Sequence, residues 1–201
     1  MLLFVAQKNL VVINIVKNIQ ARIAKKTLEL LKTRSWKSIS IHIISKKLKL
    51  SEKKIPNKLK NKINLLKNIN QYIDSLLIVK TKSIEKSTSR DMIFEIFMIR
   101  FDLLNSYRFS ISKIFNFFKY NPKNFILLIP TFIDSIEMMA KLSNIKTKGV
   151  FGKVTLKGLM IIYFSSFITW LKDESESLDK TMTVLDGHLV RAENILKLLK
   201  K

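Results

Sequence analysis

Three features of the sequence predict an all-α fold. The chain holds only four glycines and three prolines in 201 residues, too few for a protein rich in strands or loops. Apolar residues make up 47% of it, enough to supply a full core. In most of the chain those residues recur at intervals of three and four, the spacing of one helical face.

The first sixteen residues are apolar apart from Gln7, Lys8, Asn9 and Asn14. They lack a basic start and a small-residue cleavage site, so they do not read as a secretory signal. They are also too short and too interrupted to span a bilayer. Residues 1–18 are therefore set aside as an apolar extension. Over 15–34, Ile15, Ile19, Ile23, Ala24, Leu28 and Leu31 define a helix with lysines and arginines on the opposite face. After a stop at Thr33-Arg34-Ser35-Trp36, Ser38 or Ser40 can cap a second helix from Ile41 to Leu48, and Ser51 can cap a third. A longer helix over about 61–79 aligns Ile63, Leu66, Ile69, Ile73 and Leu77. Residues 81–90 are polar and serine-rich, and mark a linker between an N-terminal unit, 19–80, and a C-terminal domain, 91–201.

Beyond the linker the helices turn greasy. The 91–105 segment is apolar almost all round and is expected to be buried or lipid-facing. Helix 108–119 brings four phenylalanines, and 124–142 is expected to be one helix bent at Pro130. Gly149 and Gly152 mark a turn. The run 158–171 has fourteen residues without a charge, a length more typical of a core helix than of a membrane span. An acidic corner (Asp173, Glu174, Glu176, Asp179) precedes the last helix, where negative charge suits a helix start. That helix repeats Leu178, Met182, Leu185, Leu189, Ala192, Leu196 and Leu199 between basic residues, as an interfacial helix or a packed terminal helix would.

The net charge is +22 and uneven: residues 1–89 carry 20 basic and 4 acidic groups, residues 90–201 carry 17 and 11. A basic half suits nucleic acid or an anionic membrane surface. Lysine outnumbers arginine 31 to 6, which a bias towards A·T-rich codons also produces. Chemistry is sparse. Cysteine is absent, the two histidines, His42 and His188, lie in different halves, and no phosphate loop, nucleophile elbow or metal-ligand spacing occurs. The sequence offers nothing to run an enzyme and asks for no metal or cofactor, so function is sought in surfaces and apolar cavities.

Two stretches resemble known families. In the first, a helix ending Glu29-Leu30-Leu31 is followed by Trp36-Lys37-Ser38-Ile39-Ser40, Ile43-Ile44-Ser45-Lys46-Lys47-Leu48, Leu50-Ser51 and Asn61-Lys62-Ile63-Asn64-Leu65-Leu66. This pattern over 19–79 resembles the N-terminal domain of the TetR family, a three-helix helix-turn-helix unit. The resemblance implies that the segment after Ser51 enters the major groove of DNA and that Lys53, Lys54, Asn57 and Lys58 make the contacts. The family usually has glycine near position 53 and an aromatic near 56, where this chain has Lys53 and Pro56. Proline five positions into a helix removes a hydrogen bond and clashes with the preceding turn. A helix there would have to start at Pro56 and would be short for reading DNA.

In the second stretch, Arg90-Asp91, Arg100-Phe101-Asp102, Lys157-Gly158-Leu159, Tyr163, Trp170-Leu171, Asp173, Ser175, Asp179, Thr181-Met182 and Leu185-Asp186 are similar to the lipid-binding "Coq-nine" accessory proteins of coenzyme Q biosynthesis, in their short bacterial branch. Those proteins share the TetR-type fold. Gly152-Lys153 and Gly187-His188 depart from the longer members, so partner-binding residues are not carried over. Together the resemblances imply a TetR-like helical bundle with a C-terminal ligand and dimerisation bundle. They imply a non-catalytic homodimer, peripheral on the inner, cytoplasmic face of a membrane (the matrix side in an organelle). It would bind an isoprenoid or quinone-type lipid and present it to a ubiquinone-biosynthesis enzyme. Met160, Phe164, Phe167 and Leu171 are the candidate lipid lining, and Met182, Leu185, Leu189, Leu196 and Leu199 the candidate membrane contacts. The alternative is a TetR-type repressor that binds DNA and responds to a hydrophobic ligand.

Overall fold

The computed structural model describes residues 19–198, and Leu199 and the 1–18 extension lie outside them. The described residues form α1 (Ile19–Leu31), α2 (Ile41–Leu48), α3 (Lys62–Thr81), α4 (Ser89–Asn105), α5 (Arg108–Lys119), α6 (Pro122–Ile126), α7 (Ile129–Leu142), α8 (Gly149–Trp170) and α9 (Asp179–Leu198), with 3₁₀ turns at Trp36–Ser38, Glu52–Lys54 and Asn57–Lys60. Among these residues there is no strand. The chain divides into two compact units, but not at one point. The described residues up to Lys82 cluster with Leu103–Phe132, and Ser83–Asp102 clusters with the described residues from Ile133 onward. A single boundary at 81–90 therefore separates α3 from α4 but misses the return of residues 103–132 to the first unit.

In the first unit, α1 buries Ala21, Ile23, Ala24, Leu28 and Leu31, and α3 buries Leu65, Leu66, Ile69, Ile73 and Leu77. The C-terminus of α1 leaves carbonyls without intrahelical partners, and a cation suits it. Lys113 of α5 supplies both needs: its Nζ donates to the carbonyls of Leu31 (2.8 Å), Lys32 (3.0 Å) and Arg34 (3.3 Å). Ser110, one turn earlier, donates to the Leu28 carbonyl at 2.6 Å. Trp36 is buried beside Phe117, and Lys62 lies 5.8 Å from the centre of its ring.

Pro130 does not bend one long helix. The 124–142 segment breaks at Leu127-Leu128, and Pro130 is the second residue of α7. At that position the missing N–H would have had no intrahelical acceptor, so proline starts a helix more easily than it bends one.

In the second unit, α8 and α9 pack together. Gly149 opens α8 at φ +75°, the left-handed region that glycine tolerates. Gly152 is not in a turn but in the first turn of the helix, where a Cβ would come within 2.4 Å of the Thr147 carbonyl carbon. The core is an aromatic ladder. Tyr163 stacks on Phe101 at 5.2 Å and meets Phe97 edge-on at 5.2 Å, while Trp170 lies over Phe101 and Phe167. Arg100 is buried and donates from Nε to the Tyr163 hydroxyl at 2.9 Å. Arg90 joins α4 to Asp186 of α9.

The acidic corner is a helix-capping device. Asp173, fully buried, accepts from the Ser175 N–H (3.2 Å) and hydroxyl (2.6 Å) and from the Thr181 N–H and hydroxyl (both 2.8 Å). Burial alone would raise its pKa, but these hydrogen bonds outweigh it and hold the carboxyl at about 2 against an ordinary 3.8. A depressed folded-state pKa stabilises the fold above the unfolded value, and that contribution is lost as pH falls through the folded one. Asp173 is therefore expected to contribute about 2 kcal/mol above roughly pH 5, vanishing between about pH 4 and 2. Urea unfolding across that range should show a step that Asp173→Asn lacks; an equal acid loss in the variant would contradict the assignment.

Candidate nucleic-acid interface

Ser40 caps α2, its hydroxyl accepting from the Ile43 N–H at 3.3 Å, and Lys49 ends the helix in the left-handed conformation (φ 54°). The chain then turns through Leu50 to Ser51, whose hydroxyl accepts from the Lys53 N–H at 3.4 Å. This is the start of a helix-turn-helix, but the second helix does not form. Pro56 has no N–H to offer the Glu52 carbonyl, and its ring would collide with that carbonyl. It also drives the preceding Ile55 into extended geometry (φ −84°, ψ 128°). Glu52–Lys54 closes as a 3₁₀ turn with Ile55 N–H on the Glu52 carbonyl (3.1 Å). Asn57–Lys60 forms another, with Leu59 N–H on the Pro56 carbonyl (2.8 Å). The expected helix capped by Ser51 is thus replaced by two short turns.

These turns are held firmly. Ile55 and Leu59 are 2% and 3% exposed. Asn64 donates to the Lys58 carbonyl (2.7 Å), Asn61 caps α3 through the Ile63 N–H (2.7 Å), and His42 Nδ1 meets Glu52 Oε1 at 2.7 Å. All four candidate DNA contacts, Lys53, Lys54, Asn57 and Lys58, are exposed. Lys53 and Lys54 stand on one turn, Asn57 and Lys58 on the other, so they do not share one helical face. Sequence reasoning passed over Lys37, Lys49 and Lys60, which are exposed on the same segment. From residue 32 to 62 the chain carries eleven basic side chains and one acidic one, a signal visible in the sequence.

The candidate lipid-lining residues are half-buried, Met160, Phe164 and Phe167 along one flank of α8 and Leu171 just past its end. Phe164 touches Tyr163 and Phe167 stacks on Trp170, so two of the four belong to the aromatic core. A cleft of about 460 Å³ opens in the first unit, lined by Lys32, Asn105, Ser106, Tyr107, Arg108 and Phe109, and none of the four borders it. The candidate membrane contacts divide. Met182 and Leu196 are exposed, whereas Leu185 and Leu189 are buried in the fold and do not present a surface to a bilayer. By length and composition α8 could cross a membrane; the core helix of a soluble protein meets the same criterion, but only 28% of the apolar window of α8 is buried.

The more prominent apolar surface is the outward side of α8. Val154, Ile161 and Ile168 repeat every seven residues, with Ile161 71% and Ile168 42% exposed. Val150 extends the stripe, and Lys157 and Ser165 interrupt it.

An all-helical protein with a helix-turn-helix-like first unit and a long, outwardly apolar helix paired with α9 is the class these features define. The fold is TetR-like. It is similar to a crystal structure of the TetR transcriptional regulator from Nitrosomonas europaea ATCC 19718, with a TM-score of 0.70 and 20% sequence identity over 88% of this chain and 99% of that one. No family model and no curated protein sequence matches the chain.

Proposed function

We propose that this protein is a DNA-binding regulator of TetR architecture that acts as a homodimer and not as an enzyme. The observation that carries the reading is the basic segment 32–62, whose lysines face outward on a unit that keeps the first helix and the turn of a helix-turn-helix. The apolar stripe of α8 is the surface on which a second copy would seat, and a hydrophobic effector held by the second unit would complete the regulator. Mixing the full chain with 30-base-pair duplex DNA at low salt, followed by fluorescence anisotropy, is expected to show binding that weakens steeply with salt. Binding of no duplex at about 50 mM salt would refute it.

A second reading keeps the exposed apolar side chains of α8 and α9 for lipid. In it the chain is a non-catalytic, membrane-peripheral accessory protein that hands a quinone-type lipid to a ubiquinone-biosynthesis enzyme. Exposure of Ile161, Ile168, Met182 and Leu196 is what favours it. Native mass spectrometry with lipid extraction separates the two: a dimer without lipid fits the regulator, and a bound prenyl lipid fits the accessory protein.

A further inference from the structure

We infer that the first unit grips duplex DNA through its phosphodiester backbone and reads base edges weakly or not at all. This inference rests on the DNA-binding reading above and specifies how the contact is made.

A helix-turn-helix reads sequence by laying one continuous helix in the major groove, where three or four side chains reach base edges from a fixed face. Here the corresponding segment has no α-helical turn. Its longest regular stretch is the four-residue 3₁₀ turn Asn57–Lys60, and extended Ile55 and Pro56 separate it from Glu52–Lys54. DNA cannot restore one continuous helix across residues 52–60 on binding, because the obstacle is covalent. Pro56 supplies no N–H at any conformation, and its ring excludes the carbonyl geometry a helix needs.

The side chains point the same way. Specific contacts in the major groove are made chiefly by arginine or lysine to guanine and by asparagine or glutamine to adenine, from a helix that fixes where each side chain reaches. Between Glu52 and Lys60 the exposed residues are Lys53, Lys54, Asn57, Lys58 and Lys60, besides Glu52 itself, which is engaged by His42. Lysine presents a point charge with rotating donors, suited to phosphate and poor at planar two-point recognition. Asn57 is the one exposed amide between Glu52 and Lys60, and it opens a 3₁₀ turn and not a helix that would fix its reach. Asn61 and Asn64, the next amides, are spent on the α3 cap and the Lys58 carbonyl.

The test uses the full chain, several unrelated 30-base-pair duplexes, and selection from a pool of randomised duplexes. Affinities at one salt concentration are expected to agree within about threefold, and selection should enrich no motif. Each phosphate neutralised contributes about −0.9 to the slope of log K against log salt, so four lysines predict roughly −3 to −4 per protomer. Replacing Lys53, Lys54, Lys58 and Lys60 by alanine should remove most of that slope with unchanged helical circular dichroism. Asn57→Ala should leave binding unaltered. Enrichment of a motif bound 30-fold or more above the pool, or loss of discrimination in Asn57→Ala, would overturn the inference and leave the DNA-binding reading intact. Failure to bind any duplex would instead remove that reading. Tighter binding of single-stranded RNA than of duplex DNA would contradict the partner chosen here.

Discussion

Replacement of Trp170 by alanine is expected to destabilise the second unit by about 3–5 kcal/mol. The side chain is fully buried at the end of α8, stacked 5.4 Å from Phe167 and 6.5 Å from Phe101. Alanine there removes the largest fully buried side chain of the chain's described core and leaves a cavity between α4 and α8 that stiff aromatic neighbours cannot fill. Phe101 in turn stacks on Tyr163, which receives the Arg100 guanidinium, so loosening the ladder exposes a buried charge to rearrangement. Trp170→Phe keeps a ring in the stack and should cost well under half as much. Denaturant unfolding followed by circular dichroism measures both. A loss of less than about 1 kcal/mol in Trp170→Ala would show that the ladder is not what holds α4 to α8.

How much of this was legible in the chain depends on what each residue had to report. Helical period located α2 and α5 with the bounds observed, because their buried residues (Ile44; Ile114 and Phe118) recur where the period puts them and Ser40 marks one start. Period says nothing about which cluster a helix joins. Apolar residues continue at helical spacing on both sides of Asp102 and of Phe132, so the crossing of the chain from one unit to the other inside α4 and α7 leaves no mark on the pattern. Prolines were read more easily for what they forbid than for what they permit. That Pro56 spoils a helix followed from its missing N–H, but the two 3₁₀ turns depend on burial of Ile55 and Leu59, a tertiary fact. Gly152 looked like a turn residue because its real constraint, the closeness of the Thr147 backbone, lies outside any local pattern.

Function was less legible, for a reason the second unit makes plain. The residues behind its family resemblance are engaged in holding the unit together. Arg90 meets Asp186, Arg100 meets Tyr163, Phe101 and Trp170 stack, and Asp173 gathers Ser175 and Thr181. Such a constellation specifies a fold, and one fold serves many functions. The side chains that would distinguish a DNA-bound dimer from a lipid carrier are the outward ones, Lys53 to Lys60 and Val154 to Ile168, where no internal packing constrains the choice.

The outward stripe of α8 therefore decides most. If the proposed dimer seats on this stripe, Ile161→Asp together with Ile168→Asp is expected to convert it into a monomer with the 23.4 kDa mass of one chain. Ile161 is 71% and Ile168 42% exposed, so aspartate falls mainly on the surface of the protomer, and unchanged helical circular dichroism checks that the fold is kept. The seven-residue spacing of Val154, Ile161 and Ile168 keeps one seam of the helix facing a partner over two turns at each step, as packing against another long helix requires. An isoleucine buried in such a seam contributes about 1.5–3 kcal/mol, and a carboxylate in its place would be desolvated without a partner. Two substitutions per chain, met twice at a two-fold axis, should weaken association by a factor of about a thousand or more. Analytical ultracentrifugation reads the outcome directly. On the proposed reading, two DNA-binding units tethered in a dimer bind far more tightly than one, so the same variant should lose duplex affinity although every lysine of the basic segment remains. A variant that sediments as the wild type does, or a monomer that keeps full DNA affinity, would separate the α8 stripe from the basic segment and leave it without a role in DNA binding.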